Sequence, residues 1–273
     1  FIDFINKGIV KMEIKIYQID AFTEHIFNGN PAAVCPLDNW ISDDLMQKIA
    51  MENNLAETAF YVHTGDVFQI RWFTPEVEVD LCGHATLAAA FVLFNYEGYK
   101  SESINFYSER SGALLVKRSG ELLTLNFPTD ILEQVPMNEQ ICAAFNHEPL
   151  EVYKGKTDYL FVFETQAQIN EIEVDLKAIA ALDGRGVIIT APGEDVDFVS
   201  RFFAPQSGID EDPVTGSAHT SLTPFWSKKL AKKELTALQL SKRQGKLWCK
   251  DLDDRVEISG YAKLYLSGTI FID

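Results

Sequence analysis

Much that would announce a familiar chemistry is scarce or missing in this sequence. Its 273 residues include four cysteines, Cys35, Cys82, Cys142 and Cys249, scattered without a CxxC pair. That spacing argues against a disulfide framework or a zinc site and fits a reducing compartment. Basic residues are in deficit, 24 Lys and Arg against 40 Asp and Glu, for a net charge of −16. A chain so acidic repels phosphate backbones and anionic lipid surfaces, so neither nucleic acid nor membrane is expected as a partner. The apolar run Leu87 to Phe94 falls far short of the roughly 20 residues a membrane span needs. These absences lead us to expect a soluble, cytoplasmic protein. There is also no GxGxxG after a strand, no P-loop, no HExxH and no GxSxG, which removes dinucleotide, nucleotide, zinc-protease and nucleophile-elbow chemistries. Asp210, Glu211 and Asp212 could ligate a hard cation but lack EF-hand spacing, and no metal is expected.

What is present is a repeat. Arg71 to Tyr96 reads RWFTPEVEVDLCGHATLAAAFVLFNY, and Arg201 to Trp226 reads RFFAPQSGIDEDPVTGSAHTSLTPFW. In both, Arg-x-Phe-x-Pro is followed by an acidic loop, a glycine, a small polar residue and Ala. The offset, 201 minus 71, is 130 residues, nearly half the chain. Two halves of like architecture with a site between them follow from that spacing. Within each copy, proline ends a strand and Gly83 or Gly216 brings bare backbone to the start of an apolar helix. Helix starts carry unpaired N–H groups that bind anions without a charged side chain. Two of them converging would hold a carboxylate or an enolate. His84 and Ser217 then read either as site residues or as polar residues closing the helix start.

Along the chain, residues 1–11 read as an extension ahead of a natural start at Met12, too poor in apolar residues for a signal peptide. An alternating strand follows from Glu13, and Asn28-Gly29-Asn30-Pro31 must turn. We expect this turn to form a lip of the cleft, with Asn28 and Gly29 contacting substrate. Ser42 should cap a helix with Asp43 and Asp44 in its first turn, an apolar face of Leu45, Met46, Ile49 and Ala50, and an end near Asn53 or Asn54. Leu55 to Val62 is a strand whose only charge is Glu57. Alternation sets Leu55, Glu57, Ala59 and Tyr61 on one face, where partial desolvation would suit the carboxylate for acid/base work. Short strands at 103–108, 112–117 and 122–127 follow, then a polar crossing from Pro128 to Asn138. The second half has strands near 159–163, 186–190, 197–203, 235–241, 246–250, 255–259 and 263–272. Many strands with few long helices predict an α+β chain, each half a mostly antiparallel, barrel-like sheet around a central helix. The first half is 12–127, with the C-terminal strand 263–273 a candidate to pair back onto it, and the second is 128–262. Pro224 should kink or restart the second signature helix. The run Lys228, Lys229, Lys232 and Lys233 reads as a solvated helix end favoured by the helix dipole.

Taken together, NGNPAAV, NLAETAF, DLCGHATLAAA and DEDPVTGSAH resemble the PhzF-like phenazine-biosynthesis isomerases, in order and spacing from about Met12 to the C-terminus. The resemblance implies a diaminopimelate-epimerase-like fold, a homodimer, no cofactor and no metal, and a glutamate that shuttles a proton within a small cyclic carboxylate. By motif the base falls on Glu57 and its polar support on His84, Asp212 and Ser217, with Gly83 and Gly216 as backbone donors. Asp212, held extended before Pro213, would orient His84 or a substrate ammonium group.

The repeat also bears on Cys82. Epimerases of this fold use one thiol from each half, yet Cys82-Gly83-His84-Ala85 corresponds to Thr215-Gly216-Ser217-Ala218. A threonine hydroxyl is too weak an acid to act as a second base unaided. Cys82 is therefore expected to pack under the glycine turn. The sequence favours a cofactor-independent isomerase acting on a small carboxylate-bearing substrate. A two-base racemase or epimerase of an amino-acid-like substrate, and a non-catalytic small-acid-binding or interaction module, remain as alternatives.

Overall fold

Residues 12–137 and 142–272 are described by the computed structural model; the segment 1–11 and the expected end of the crossing at Asn138 lie outside them. The alternation in Met12–Ala21 serves two cores. Tyr17, Ile19 and Ala21 face a cluster around the helix Gly83–Asn95, while Ile14 and Ile16 join Met46, Ile49, Ala50 and Phe60 on the other side. The strand Glu57–Thr64 divides likewise, with Ala59 and Tyr61 toward the first cluster and Phe60 toward the second. A strand packed on both faces has no solvated side, and Glu57 through Val62 are all buried. The helix Asp43–Asn53 covering the outer face has the expected ends: the Ser42 hydroxyl accepts from the N–H of Leu45, and Asn54 closes it in the left-handed conformation.

Hydrogen-bond pairing repeats between the halves. Asn30–Leu37 runs parallel to Glu57–Thr64, which is antiparallel to Val67–Phe73, which is parallel to Ser103–Ser108. Gly112–Ser119 and Leu122–Pro128 then follow antiparallel. The same order of parallel and antiparallel pairs recurs through Asp158–Val162, Gly186–Pro192, Phe198–Phe203, Glu234–Gln239, Gly245–Asp251 and Arg255–Gly260. Leu122–Pro128 pairs antiparallel with its counterpart Arg255–Gly260, which makes the sheet continuous. The last strand, Ala262–Ile272, returns to pair along Met12–Ala21. Its counterpart, Glu133–Gln134, pairs with Glu151–Lys154 in the same manner. The chain is α+β, with two similar halves each wrapped around one signature helix.

The helix Gly83–Asn95 is apolar on every side and nearly all buried, as a central helix must be. Its counterpart His219–Leu230 packs on three strands, 234–239, 245–251 and 255–260. The second signature helix does not restart at Pro224 and is continuous from His219 to Leu230 with the proline inside it. Pro224 cannot donate to the Thr220 carbonyl, but the N–H of Asp130 does, at 3.2 Å. The freed acceptor is thus satisfied from outside the helix. At the helix end, Lys229, Lys232 and Lys233 pair with Glu151, Asp197 and Asp251 in partly exposed ion pairs. No helix among the described residues is long and apolar enough to cross a membrane.

Candidate active site

The two Arg-x-Phe copies build the same support. Arg71 makes a two-pronged contact with Glu78 at 2.7 and 2.8 Å, and its guanidinium lies 5.2 Å from the Phe73 ring centre. Arg201 does the same with Glu211 at 2.7 and 3.0 Å and with Phe203 at 4.9 Å. Each fork pins the acidic loop leading to the signature glycine. Glu211 is thereby committed to an arginine, and the run Asp210 to Asp212 does not gather as a cation site.

Gly83 and Gly216 then meet. A Cβ placed on either would lie 3.8 Å from the other's Cα, with the Phe127 ring 3.7 Å away on one side and Phe22 3.8 Å away on the other. No side chain caps the helix start at Cys82 or at Ala218. In the second helix the N–H groups of His219, Thr220 and Ser221 turn back onto the carbonyls of Gly216, Ser217 and Ala218 at 3.1 to 3.2 Å, so the backbone donors that face a ligand are those of the glycine turns themselves.

Beside the glycine pair lies a buried polar cluster. Glu57 enters from the start of its strand, and its Oε2 lies 3.1 Å from His84 Nε2. Besides this close contact, Oε2 has no partner among the described residues. On the far side of the imidazole, Nδ1 lies 3.4 Å from Cys82 Sγ and 3.2 Å from Asn30 Nδ2. Asn30 Nδ2 also donates to Asp212 Oδ1 at 2.7 Å and to the Val214 carbonyl at 2.9 Å. Asp212 Oδ2 accepts from the Thr215 hydroxyl, and Gln239 Nε2 donates to the Asp212 carbonyl at 2.8 Å.

These contacts set the charges. Burial alone would lower the His84 pKa, but Cys82 and Glu57 beside it hold it well above the ordinary imidazole value. The Cys82 thiol is pushed up to about 11 by burial and by the Glu57 charge. At neutral pH it is a thiol. Burial also raises Asp212 to about 6, opposed by His84 and by the hydrogen bonds from Thr215 and Asn30.

Across the glycine pair the second half presents different groups. Ser217 Oγ accepts from Arg185 Nη2 at 3.0 Å, and the same guanidinium is forked onto Asp158, with Nε–Oδ1 at 2.9 Å. Ser217 does not cap its helix as a terminal hydroxyl would, because the N-cap position falls on Ala218.

Of the residues singled out from sequence, Glu57 and His84 are in contact, Gly83 and Gly216 face each other, and Asp212 reaches His84 only through Asn30. Asn28 is exposed, and its carbonyl accepts from Arg243 Nη2 at 3.0 Å. The Gly29 N–H is already used by the Gln244 carbonyl at 2.7 Å. The contact of this loop with the cluster is made instead by Asn30, fully buried. Sequence reasoning missed Asn30, Thr215, Gln239 and Arg185 as site residues. Asn30 stood in the quoted NGNP motif, and strand alternation would have set its side chain on the Glu57 side. Nothing local marks Gln239 or Arg185.

Comparison with known proteins agrees with this architecture. The family model described as phenazine biosynthesis-like protein, PhzC-PhzF, matches residues 19–268. A Pseudomonas aeruginosa protein named as an uncharacterised isomerase is 51% identical over 260 residues, covering 95% of this chain and 99% of that protein. The crystal structure of a PhzF-family phenazine biosynthesis protein from Enterococcus faecalis superposes with a TM-score of 0.93 at 47% identity, covering 96% of this chain and 100% of that one. A hydroxyproline epimerase from Agrobacterium vitis shares the fold alone, with a TM-score of 0.60 at 10% identity, covering 96% and 93%. The fold is thus diaminopimelate-epimerase-like, and the chain belongs to the PhzC-PhzF family of phenazine biosynthesis-like proteins.

Proposed function

We propose that the protein is a cofactor-independent isomerase that moves a proton within a small carboxylate-bearing substrate, with Glu57 as the base. One observation carries the reading: the buried Glu57 carboxylate stands 3.1 Å from His84 Nε2, beside the turns where Gly83 meets Gly216. A carboxylate so placed can take a proton from carbon. The charge left on substrate falls near the N–H groups around Gly83 and Gly216, which can stabilise an enolate without reorganising. Glu57, now protonated, returns the proton to a second carbon. His84 Nε2, 3.1 Å from the carboxylate, is placed to steer it.

A metal-assisted reaction has less support. Glu57, Cys82 and His84 do present donor atoms within 4.8 Å of one another. However, an ion would have to displace the contacts that His84 already makes, Nε2 with Glu57 at 3.1 Å and Nδ1 with Cys82 Sγ at 3.4 Å, and the Cys82 thiol, pushed up to about 11, would have to give up its proton. The same thiol pKa, together with Thr215 in the matching position, weakens a two-thiol racemase.

The test is incubation with a panel of small cyclic and amino-acid-like carboxylates in deuterated buffer. Isotope should enter a carbon of at least one ligand with the wild-type protein and not with Glu57→Gln. Binding without exchange across the panel would favour the non-catalytic module.

A further inference from the structure

The two repeats are similar in backbone but differ in the charge they carry at and beside one matching position. Phe60 pairs with Arg71 and Ile189 with Arg201, so the repeat aligns Phe60 with Ile189 and, three residues earlier, Glu57 with Gly186. Parallel partners agree: Ala32 stands beside Glu57 and Asp158 beside Gly186. The acid of the first half, touching His84, is thus replaced in the second by the neighbouring cation Arg185, touching Ser217. His84 and Ser217 are themselves the matching residues after the paired glycines.

We infer that Arg185 is the residue that binds the substrate's carboxylate, with Ser217 and the Gly216 helix start, and so places the reacting carbon toward Glu57. The inference rests on the isomerase reading for the word substrate, but its anion-binding content does not. Asp158 is buried, with 5% of its side chain exposed, and holds the fork rigid, while 41% of the arginine side chain is open. The Arg185 guanidinium also lies 5.3 Å from the Phe202 ring centre. Nε and one terminal nitrogen are used, while Nη1 donates to no described residue. A guanidinium needed only to neutralise Asp158 would not also have to reach the signature loop. A planar fork, held on one edge and open on the other, suits a carboxylate.

The probes are benzoate and its neutral isostere benzamide, titrated calorimetrically onto the full chain. Wild type should prefer benzoate by about tenfold or more, the scale of one charge-assisted hydrogen bond. Arg185→Gln should bring that preference near unity while leaving benzamide affinity unchanged, and Arg185→Lys should keep part of it. Because Arg185→Gln strands the buried Asp158, the double variant Arg185→Gln/Asp158→Asn is measured alongside, with the same loss expected. A merely structural arginine would weaken both probes together. Equal affinity of wild type for the two probes, or a benzoate preference that survives in the double variant, overturns the inference. Deuterium exchange in the same proteins separates this outcome from the role of Glu57: anion preference can be lost with exchange retained at saturating ligand, or kept with exchange absent.

Discussion

Asn30 Nδ2 donates to Asp212 Oδ1 at 2.7 Å across a sequence separation of 182 residues. The bond joins the NGNP turn of the first half to the acidic loop of the second. The same amide nitrogen lies 3.2 Å from His84 Nδ1, but its two hydrogens have Asp212 and Val214 as acceptors, so it packs against the imidazole rather than bonding a protonated Nδ1.

A pH dependence follows. Both Asp212 oxygens accept hydrogen bonds, one from Asn30 and one from Thr215, an arrangement suited to the ionised carboxylate. With Asp212 raised to about 6, the rate of isotope exchange should fall on the acid side with a midpoint near that value. Thr215→Val removes a hydrogen bond that lowers this pKa, so the acid limb should move to higher pH. A limb that stays in place would separate Asp212 from the reaction. For stability, the folded state retains a proton on Asp212 that the unfolded chain has already lost near its ordinary 3.8. The Asp212 contribution to stability therefore declines as pH rises from about 4 to about 6, and Asp212→Asn should flatten the unfolding free energy across that window.

Glu57→Gln should lower exchange by roughly 10²–10⁴-fold, the usual worth of a positioned base, with ligand affinity kept within about tenfold because the shape is retained. It should also lower the His84 pKa, since the Glu57 charge is one of the causes that raise it. Imidazole NMR titration reads that shift directly. A normal exchange rate in this variant would remove Glu57 from the mechanism.

Cys82→Ala should retain most turnover. Sγ lies 3.4 Å from His84 Nδ1, but a thiol pushed up to about 11 is not a base at neutral pH. If the folded variant lost activity, and the wild type exchanged at a stereocentre with inversion, the racemase would be restored.

Ser217→Ala removes an acceptor from Arg185 and leaves the backbone N–H groups in place. A loss of up to about tenfold, in ligand binding rather than in the rate at saturation, is expected for one hydrogen bond. Calorimetry with any ligand that exchanges in wild type distinguishes this from no effect.

Gly29→Ala should destabilise by about 1–3 kcal/mol or more. Gly29 has φ 66°, and an added Cβ would lie 2.1 Å from the Ala21 carbonyl oxygen. Thermal unfolding provides the measure, and an unchanged Tm would mean that the NGNP turn relaxes freely.

How much was legible from sequence depended on the range of the interaction. The helix 43–53 was readable because Ser42, the two aspartates and the apolar stripe are local signals, and the cap forms as they require. The repeat made the two halves and the meeting of Gly83 with Gly216 legible, because a chain that folds the same way twice brings matching loops together. Glu57 and His84 were singled out through their motifs, the isolation of one charge in an apolar strand gave Glu57 a physical reason, and the fold sets the two side chains 3.1 Å apart. At Pro224 the helix continues without restarting, because a distant N–H from Asp130 takes up the freed carbonyl. The same applies to Asn30, Gln239 and Arg185. Each is an ordinary polar residue in sequence, and each gains its place from a partner 24 to 182 residues away. Periodicity and caps are fixed by neighbours a turn or two apart, and the sequence by itself determined those. Which buried acceptor faces which donor, and hence the pKa of His84, Cys82 and Asp212, was decided only when the sheet closed and water was excluded.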